Sequence, residues 1–187
     1  MSDVRGIRRA DKLMADEATI DLLKRGFSGR LATVGADGYP YCVPLLHVWM
    51  EGGIWVHNTA AKGHLRGNVD HDDRVCFEVD EAGPVFNYGR FECDSSLAYE
   101  SVVAFGRIRI VRDREEKRRF CDALLAKYGV PGTNRPKSFY PRLGAICVYA
   151  IAVERMTGKR TPFPSVSEQW PAADRTATPN AREPAPA

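Results

Sequence analysis

Ile54 to Asp70 reads I-W-V-H-N-T-A-A-K-G-H-L-R-G-N-V-D, a short apolar strand running straight into the start of a helix. The junction holds His57, Asn58, Thr59, Lys62, His64 and Arg66, a dense set of hydrogen-bond donors and cations where a chain leaves a sheet. A helix N-terminus favours an anion, because its first N–H groups lack partners and its dipole is positive there. A lysine at that point, with an arginine nearby, predicts a phosphate cradle. The block reads as the phosphate end of a nucleotide-type cofactor site. For Lys62 the plain alternative is a solvated surface lysine.

Other site chemistry is weakly signalled. His47, His57, His64 and His71 are spaced by ten, seven and seven residues. That matches no metal signature such as H-E-x-x-H, and no carboxylate or cysteine completes a tetrahedral set, so no metal is expected. No G-x-G-x-x-G follows a strand and no Walker-type loop is present. Five cysteines stand at 42, 76, 93, 121 and 147, an odd count with no C-x-x-C pair. This suits reduced thiols in a cytoplasm rather than a disulfide framework. Cys42, Cys76 and Cys147 lie in apolar strand-like runs and read as small core residues.

The 187 residues suffice for one domain with a real core. Hydrophobic content of 44% and charged content of 27% are ordinary for a soluble globular protein. A net charge of +3 is too small to argue for nucleic acid, which calls for a clustered basic face. Basic residues do concentrate in Arg5 to Lys12 and Arg107 to Arg119. The second run also holds Asp113, Glu115 and Glu116, so it reads as the solvated face of a helix. No nucleic-acid partner is expected. No apolar run approaches the ~20 residues that span a bilayer, so no membrane is expected either. Met1 to Lys12 lacks the apolar stretch of a secretory signal. A cytoplasmic chain is the expectation.

The elements that must position the junction follow from turn and cap signals. Asp16 to Arg25 has acidic residues first, basic residues last and Gly26 after, which predicts a helix buried through Ile20, Leu22 and Leu23. Arg30 to Val34 is a strand ending at G-A-D-G, a hairpin signal. Tyr41 to Met50 is a second strand, followed by E-G-G and a third strand over Ile54 to His57. Trp49 and Trp55 flank that turn and are expected to pack across the strands. A short helix over Gly63 to Val69 and a strand over Arg74 to Val79 come next. Asp80 to Ser96 reads as a long irregular loop, with Phe86, Tyr88 and Phe91 either packed on the barrel or forming a lid. Tyr99 to Val111 is the longest strand, Gly106 marking a bend or bulge. Asp113 caps a helix running to Tyr128, and Ala145 to Met156 is the last strand. Three segments result: an N-terminal extension (1–15), a domain (16–160) and a Pro/Ala-rich tail (161–187) whose composition predicts disorder. Six strands with short hairpins and three helices predict a mainly β fold, a six-stranded β-barrel with peripheral helices.

The order of blocks carries a resemblance. A helix ending R-G is followed by G-R-L-A-T-V-G-A-D-G-Y-P-Y-C-V-P-L, I-W-V-H-N-T-A-A-K-G-H-L, R-V-C-F-E-V, Y-E-S-V-V-A-F-G-R-I-R-I-V and a charged helix. This resembles the pyridoxamine 5′-phosphate oxidase-like, FMN-binding split-barrel proteins. Within them it is similar to the nitroimidazole-resistance-like (Nim-like) flavin-nucleotide-binding branch. The resemblance spans about Glu17 to Val153.

The resemblance implies a homodimer with an FMN in each of two clefts at the subunit interface, lined in part by Tyr99 to Gly106. It implies that Arg30, Leu31, Ala32 and Thr33 border the flavin ring and ribityl chain. Arg30 would offset charge on the reduced ring, or be a solvent-facing strand arginine. The block from His57 to His64 would take the phosphate, with Lys62 the leading ligand, Asn58 and Thr59 adding contacts, and Gly63-His64 matching a pair of the branch. His57 would lie beside the flavin, and His64 near the phosphate or the substrate mouth. A deazaflavin would suit the same cleft. True pyridoxamine phosphate oxidases carry a C-terminal basic and aromatic motif that grips the substrate phosphate. This chain has T-G-K-R-T-P-F-P and a Pro/Ala tail there, so vitamin B6 oxidation is not expected. The expected function is an FMN-dependent oxidoreductase acting on a small electron acceptor or donor, with nitro-group reduction as the branch-based substrate. The alternative is a non-catalytic flavin- or haem-binding module for sensing or storage.

Overall fold

Acidic Asp16 and Glu17 in the first turn and Lys24 and Arg25 in the last match the helix dipole of α1 (Asp16–Arg25), which buries Leu22 and Leu23 completely. The computed structural model describes residues 7–89, 91, 93–129 and 140–169. After α1 come β1 (Gly29–Val34), β2 (Pro40–Leu45), β3 (His47–Met50), β4 (Gly53–Thr59), α2 (His64–His71), β5 (Arg74–Asn87), β6 (Ser95–Val111), α3 (Arg114–Tyr128) and β7 (Ile146–Thr161). The seven strands form one sheet in the order β2-β1-β5-β6-β7-β4-β3. The sheet is antiparallel and not closed, a split barrel with peripheral helices.

The strand count is seven rather than six. The stretch read as one strand, Tyr41 to Met50, breaks at Leu46 into β2 and β3. These two strands occupy opposite ends of the sheet order, so one residue links its two edges. β1 pairs with β2 and β5, and β4 with β3 and β7.

The chain divides into two compact units, 1–81 with 100–160, and 82–99 with 161–187. In the first unit the core has two parts. The larger lies on the inner face of the sheet and includes Leu31, Ile54, Val56, Phe77, Val102, Tyr149 and Ile151, with Leu22, Leu23 and Leu65 from α1 and α2. The smaller lies on the other face of β4 and β7, where Trp55, Val148 and Ala150 meet Phe120 and Cys121 of α3. Two-residue periodicity sends alternate side chains of β4 and β7 to the two parts. Asp113 caps α3, its side chain accepting from Glu116 N at 2.8 Å.

Three further expectations change on folding. Trp49 and Trp55 do not pack across strands. Positive φ at Glu51 (55°) and Gly52 (74°) makes a two-residue turn that sets Val48 opposite Trp55 and Trp49 opposite Ile54. The two indoles therefore take opposite faces, and Trp55 Nε1 donates to Met50 O at 2.9 Å. The basic run from Arg107 is not one helix face. Arg107 and Arg109 stand on β6, and only the later residues belong to α3. Cys42 is exposed and Cys76 half-buried, not core residues. Their register partners across the sheet are both Ala32, so all three occupy one row on the outward face. Gly106 is a point of close approach, since a Cβ there would strike Ala152 O.

A polar node ties α1, β3 and α3 together inside the first unit. His47 is fully buried and its Nε2 is 2.8 Å from Leu23 O. Lys127 Nζ donates to His47 O at 3.1 Å and to Leu23 O at 3.4 Å. The Tyr128 hydroxyl donates to Phe27 O at 2.7 Å.

The second unit corrects the expected loop over Asp80 to Ser96. The ends of β5 and β6 continue as paired strands, and only the stretch between Asn87 and Ser95 turns. Gly83 and Pro84 weaken the strand signal in sequence, yet Gly83 lets the backbone of Ala98 come close. Tyr88 N donates to Asp94 O at 2.9 Å inside the turn. Phe86 meets Phe163 edge-on with ring centroids 6.0 Å apart. Of the tail expected to be disordered, Ser165 and Glu168 form a capping box, and residues 170–187 lie outside the described set. The same holds for the start of the basic cluster at Arg5.

Candidate functional site

The strand-to-helix junction forms where the sequence places it. β4 ends at Thr59, Ala60 N donates to Ala145 O at 3.0 Å, and α2 starts at His64 with Gly63 as its N-cap. No side chain caps this helix, so its first N–H groups stay open to an anion. Three contacts of α2 within the first unit fix its position. Leu65 is buried in the larger core. Asn68 Nδ2 donates to Thr33 Oγ1 of β1 at 2.9 Å, and the His64 ring meets Tyr41 of β2 with centroids 5.5 Å apart.

Asp70 organises the cations. It accepts from Arg66 Nε at 2.9 Å, one helical turn away, and pairs with Lys62 Nζ at 3.2 Å. The Arg66 bond, then the Lys62 bond, holds the Asp70 carboxyl below its ordinary range, so it remains charged. Beside Arg66 opens a cavity of about 330 Å³, lined among others by Ala60, Arg66, Arg112, Lys117, Ile146 and Cys147. Lys117 Nζ donates to the uncharged carbonyl of Ile146 at 3.2 Å, which leaves its charge uncompensated by that contact.

A second cavity, of about 410 Å³, is larger but electrically different. Its two arginines are held by carboxylates. Arg107 pairs with Asp73 at 2.6 Å and Glu154 at 3.1 Å, and Arg109 pairs with Glu116 at 2.7 Å. An anion gains less beside a cation already neutralised at contact distance than beside one that is not. In the smaller cavity Arg66 is likewise paired, with Asp70, but Arg112 and Lys117 have no carboxylate within salt-bridge distance among the described residues, which makes the junction the better anion site.

The expected site residues fall into several places. Thr33 and His64 come together under and on α2, as above. Lys62 is 70% exposed and reaches the junction through its Asp70 pair. Asn58 and His57 diverge, because neighbours in a strand face opposite ways. Asn58 lies opposite Cys147 on the inner side, with its Oδ1 buried and unpartnered. His57 turns to α3, its ring centroid 5.5 Å from that of Phe120, with Nδ1 buried and unpartnered. Burial lowers the His57 pKa, favouring the neutral ring. Thr59 and Gly63 are exposed at the two ends of the connection.

On β1, Leu31 is completely buried in the core, whereas Arg30 and Ala32 take the outward face. Arg30 is not a lone cation: it pairs with Glu78 at 3.3 Å and with Asp80. Burial, and then the Asp80 charge, raises the Glu78 pKa.

Reading the sequence missed Arg112, Lys117, Cys147 and Tyr149 as neighbours of this site. Lys117 had a signal, since Asp113 as N-cap fixes which way α3 leaves β6. Cys147 and Tyr149 had none, because a strand pairing brings them beside Asn58. Among the described residues, no three His, Cys, Asp or Glu side chains are placed to share a metal ion. No helix among them is long and apolar enough to cross a membrane.

Comparison with known proteins agrees with this architecture. The flavocytochrome Anf3 from Azotobacter vinelandii superposes with a TM-score of 0.69 at 19% identity, over 96% of this chain and 82% of that one. The FAD and heme binding protein from Mycobacterium smegmatis gives 0.67 at 22% identity, over 82% and 76%. A candidate 5-nitroimidazole antibiotic resistance protein from Bacteroides thetaiotaomicron VPI-5482 gives 0.66 at 19% identity, over 79% and 85%. At such identities the likeness is one of fold. The search of curated proteins gave no match. The family described as Pyridoxamine 5′-phosphate oxidase matches residues 15–160, most of the sequence, and the chain belongs to that family, with its flavin-binding split-barrel fold.

Proposed function

We propose that the protein is an FMN-binding oxidoreductase acting on a small electron acceptor or donor, with a nitro-bearing compound as the first substrate class to test. The observation that carries this reading is the cation-lined cavity beside the open start of α2, where Arg66, Arg112 and Lys117 converge. The donor set fits the anionic end of a flavin nucleotide. Arg66 and Lys62 would hold the phosphate, and Asp70 fixes both against rotation. A guanidinium suits this task because its planar fork matches phosphate oxygens. A bound flavin supplies hydride or electron transfer, which none of these side chains can perform. The chain's own part is to bind, orient and exclude water. The family label does not extend to vitamin B6 oxidation, for the C-terminal departure given above.

We place the working protein in the cytoplasm as a homodimer with the cofactor at the subunit interface. The outward sheet face supports this, since Phe105 and Val34 are exposed at 38% and 43%. The unpaired thiols suit a reducing compartment.

Titration of FMN into wild type, Lys62→Ala and Arg66→Ala protein tests the reading. Each substitution should weaken binding by about 1–3 kcal/mol, the worth of a charge-assisted hydrogen bond. Unchanged affinity in both variants would remove the phosphate assignment. A second reading, a flavin or haem carrier without turnover, has support in the heme named for the Mycobacterium smegmatis protein. A haem absorption band in place of a flavin band, or a bound flavin that no nicotinamide nucleotide reduces, would favour it.

A further inference from the structure

Cys147 sits where three unusual features meet. It is 6% exposed and yet lines the 330 Å³ cavity at the junction. Its Sγ is 4.0 Å from Arg66 Nη1, and Asp70 anchors that guanidinium from the other side. Two buried oxygens beside it, Asn58 Oδ1 and Tyr149 Oη, make no well-formed hydrogen bond, although the Tyr149 hydroxyl lies close enough to the Cys147 thiol and the Asn58 side chain to feel both. Asn58 is its register partner on β4, and Tyr149 stands two residues along β7 on the same face. Burial first, and then the Cys147 thiol, raises the Tyr149 pKa, so its hydroxyl is a proton donor. Asn58 Oδ1 can only accept. A donor and an acceptor left poorly paired inside a protein are costly.

One oxygen atom placed on Sγ would satisfy both. The oxygen of a cysteine sulfenic acid accepts, from Tyr149 and from Arg66, and its proton donates to Asn58 Oδ1. We propose that Cys147 is a site of reversible oxidation to sulfenic acid by a small hydroperoxide entering through the cavity. The thiolate sulfur attacks one peroxide oxygen. An S–O bond forms and the O–O bond breaks. Sulfur loses two electrons, the peroxide gains them, and the thiol proton ends on the leaving hydroxide or alkoxide. The products are the sulfenic acid and water or an alcohol. Arg66 and Tyr149 hold the new oxygen against further attack, which defines their positioning roles. The other described cysteines lack this set. Cys121 is buried against Phe120 and Leu143 in the apolar part of the core, and burial raises its pKa. Cys42 and Cys93 are exposed, and Cys76 is half-buried, with burial and then the Glu78 charge raising its pKa.

The test is peptide mass spectrometry of the full-length protein after stoichiometric hydrogen peroxide, unfolded in the presence of dimedone to trap sulfenic acid at every cysteine. The expected result is a dimedone adduct mainly on the Cys147 peptide, absent if dithiothreitol precedes the trap, with Cys121 unmodified. In Tyr149→Phe the same residue should pass on to the irreversible two- and three-oxygen acids at lower peroxide. Equal labelling of Cys147 and Cys121 in wild type, or labelling that simply follows exposure at Cys42 and Cys93, would overturn the proposal. That comparison needs no variant to fold. The trap is run on flavin-free protein, because a nucleotide phosphate in the same cavity would engage Arg66 and bar the peroxide; it reads the thiol and not the cofactor, so its failure is distinct from a failure to bind FMN.

Discussion

Acid should loosen the fold through His47, by an amount the structure sets. Burial, and then the nearby Lys127 ammonium, lowers the His47 pKa from 6.5 to about 4. The folded chain therefore keeps the ring neutral where the unfolded chain binds a proton. Stability from this residue is complete above pH 6.5, falls as pH drops below that value, and levels off below about 4. Between pH 7 and 4.5 the loss is about 2 kcal/mol, from the linkage between proton uptake and unfolding. Lys127 does not change charge in this window, since burial lowers its pKa only to about 8. Other groups titrate there too, so the informative quantity is a difference. Urea denaturation of wild type and His47→Gln at both pH values isolates the residue. The variant is less stable at pH 7, and the gap should narrow by about 2 kcal/mol at pH 4.5. A gap that stays constant, or a His47 ring titrating near 6.5 by NMR in the folded protein, would refute the reasoning.

Other expectations need simpler assays. Asp113→Ala removes the cap of α3 and should cost about 1 kcal/mol in chemical denaturation. Gly106→Ala drives a methyl group into Ala152 O between β6 and β7 and should lower stability by about 1–3 kcal/mol or more, read as a fall in Tm. Light scattering coupled to gel filtration should give twice the chain mass. A monomer at working concentrations would contradict the shared-cleft arrangement.

The parts of the fold legible in sequence are those set by local chemistry. α1 runs from Asp16 to Arg25 as its charge pattern predicts, and Asp113 caps α3 as expected. Both depend on residues within a turn or two of one another. The misreadings came from non-local pairing. Near Leu46 the one local hint of a break is Pro44, which marks an edge strand, and it does not say that the chain then crosses from one edge of the sheet to the other. Gly83 and Pro84 look like loop residues, yet β6 supplies the partner strand. Trp49 and Trp55 look paired until the turn at Glu51 and Gly52 sets the register.

The candidate site divides in the same way. Lys62, His64 and Arg66 are close in sequence and remain close in space. Asn58 needs Cys147, Arg66 needs the same thiol, and Lys117 arrives from a separate helix. None of those neighbours is within 20 residues of Asn58 except Arg66. The block of polar residues from His57 to His64 predicts one cradle. Alternation sends Asn58 inward and His57 to α3, so only part of the block can serve one ligand.

If the junction holds a flavin nucleotide, the purified protein should carry that nucleotide as its own ligand. The absorption spectrum should be recorded before and after heat release, and the released molecule identified by mass. A flavin site at the junction gives the two visible and near-ultraviolet bands of an oxidised flavin and the mass of FMN. A colourless protein that also fails to bind added FMN would contradict it.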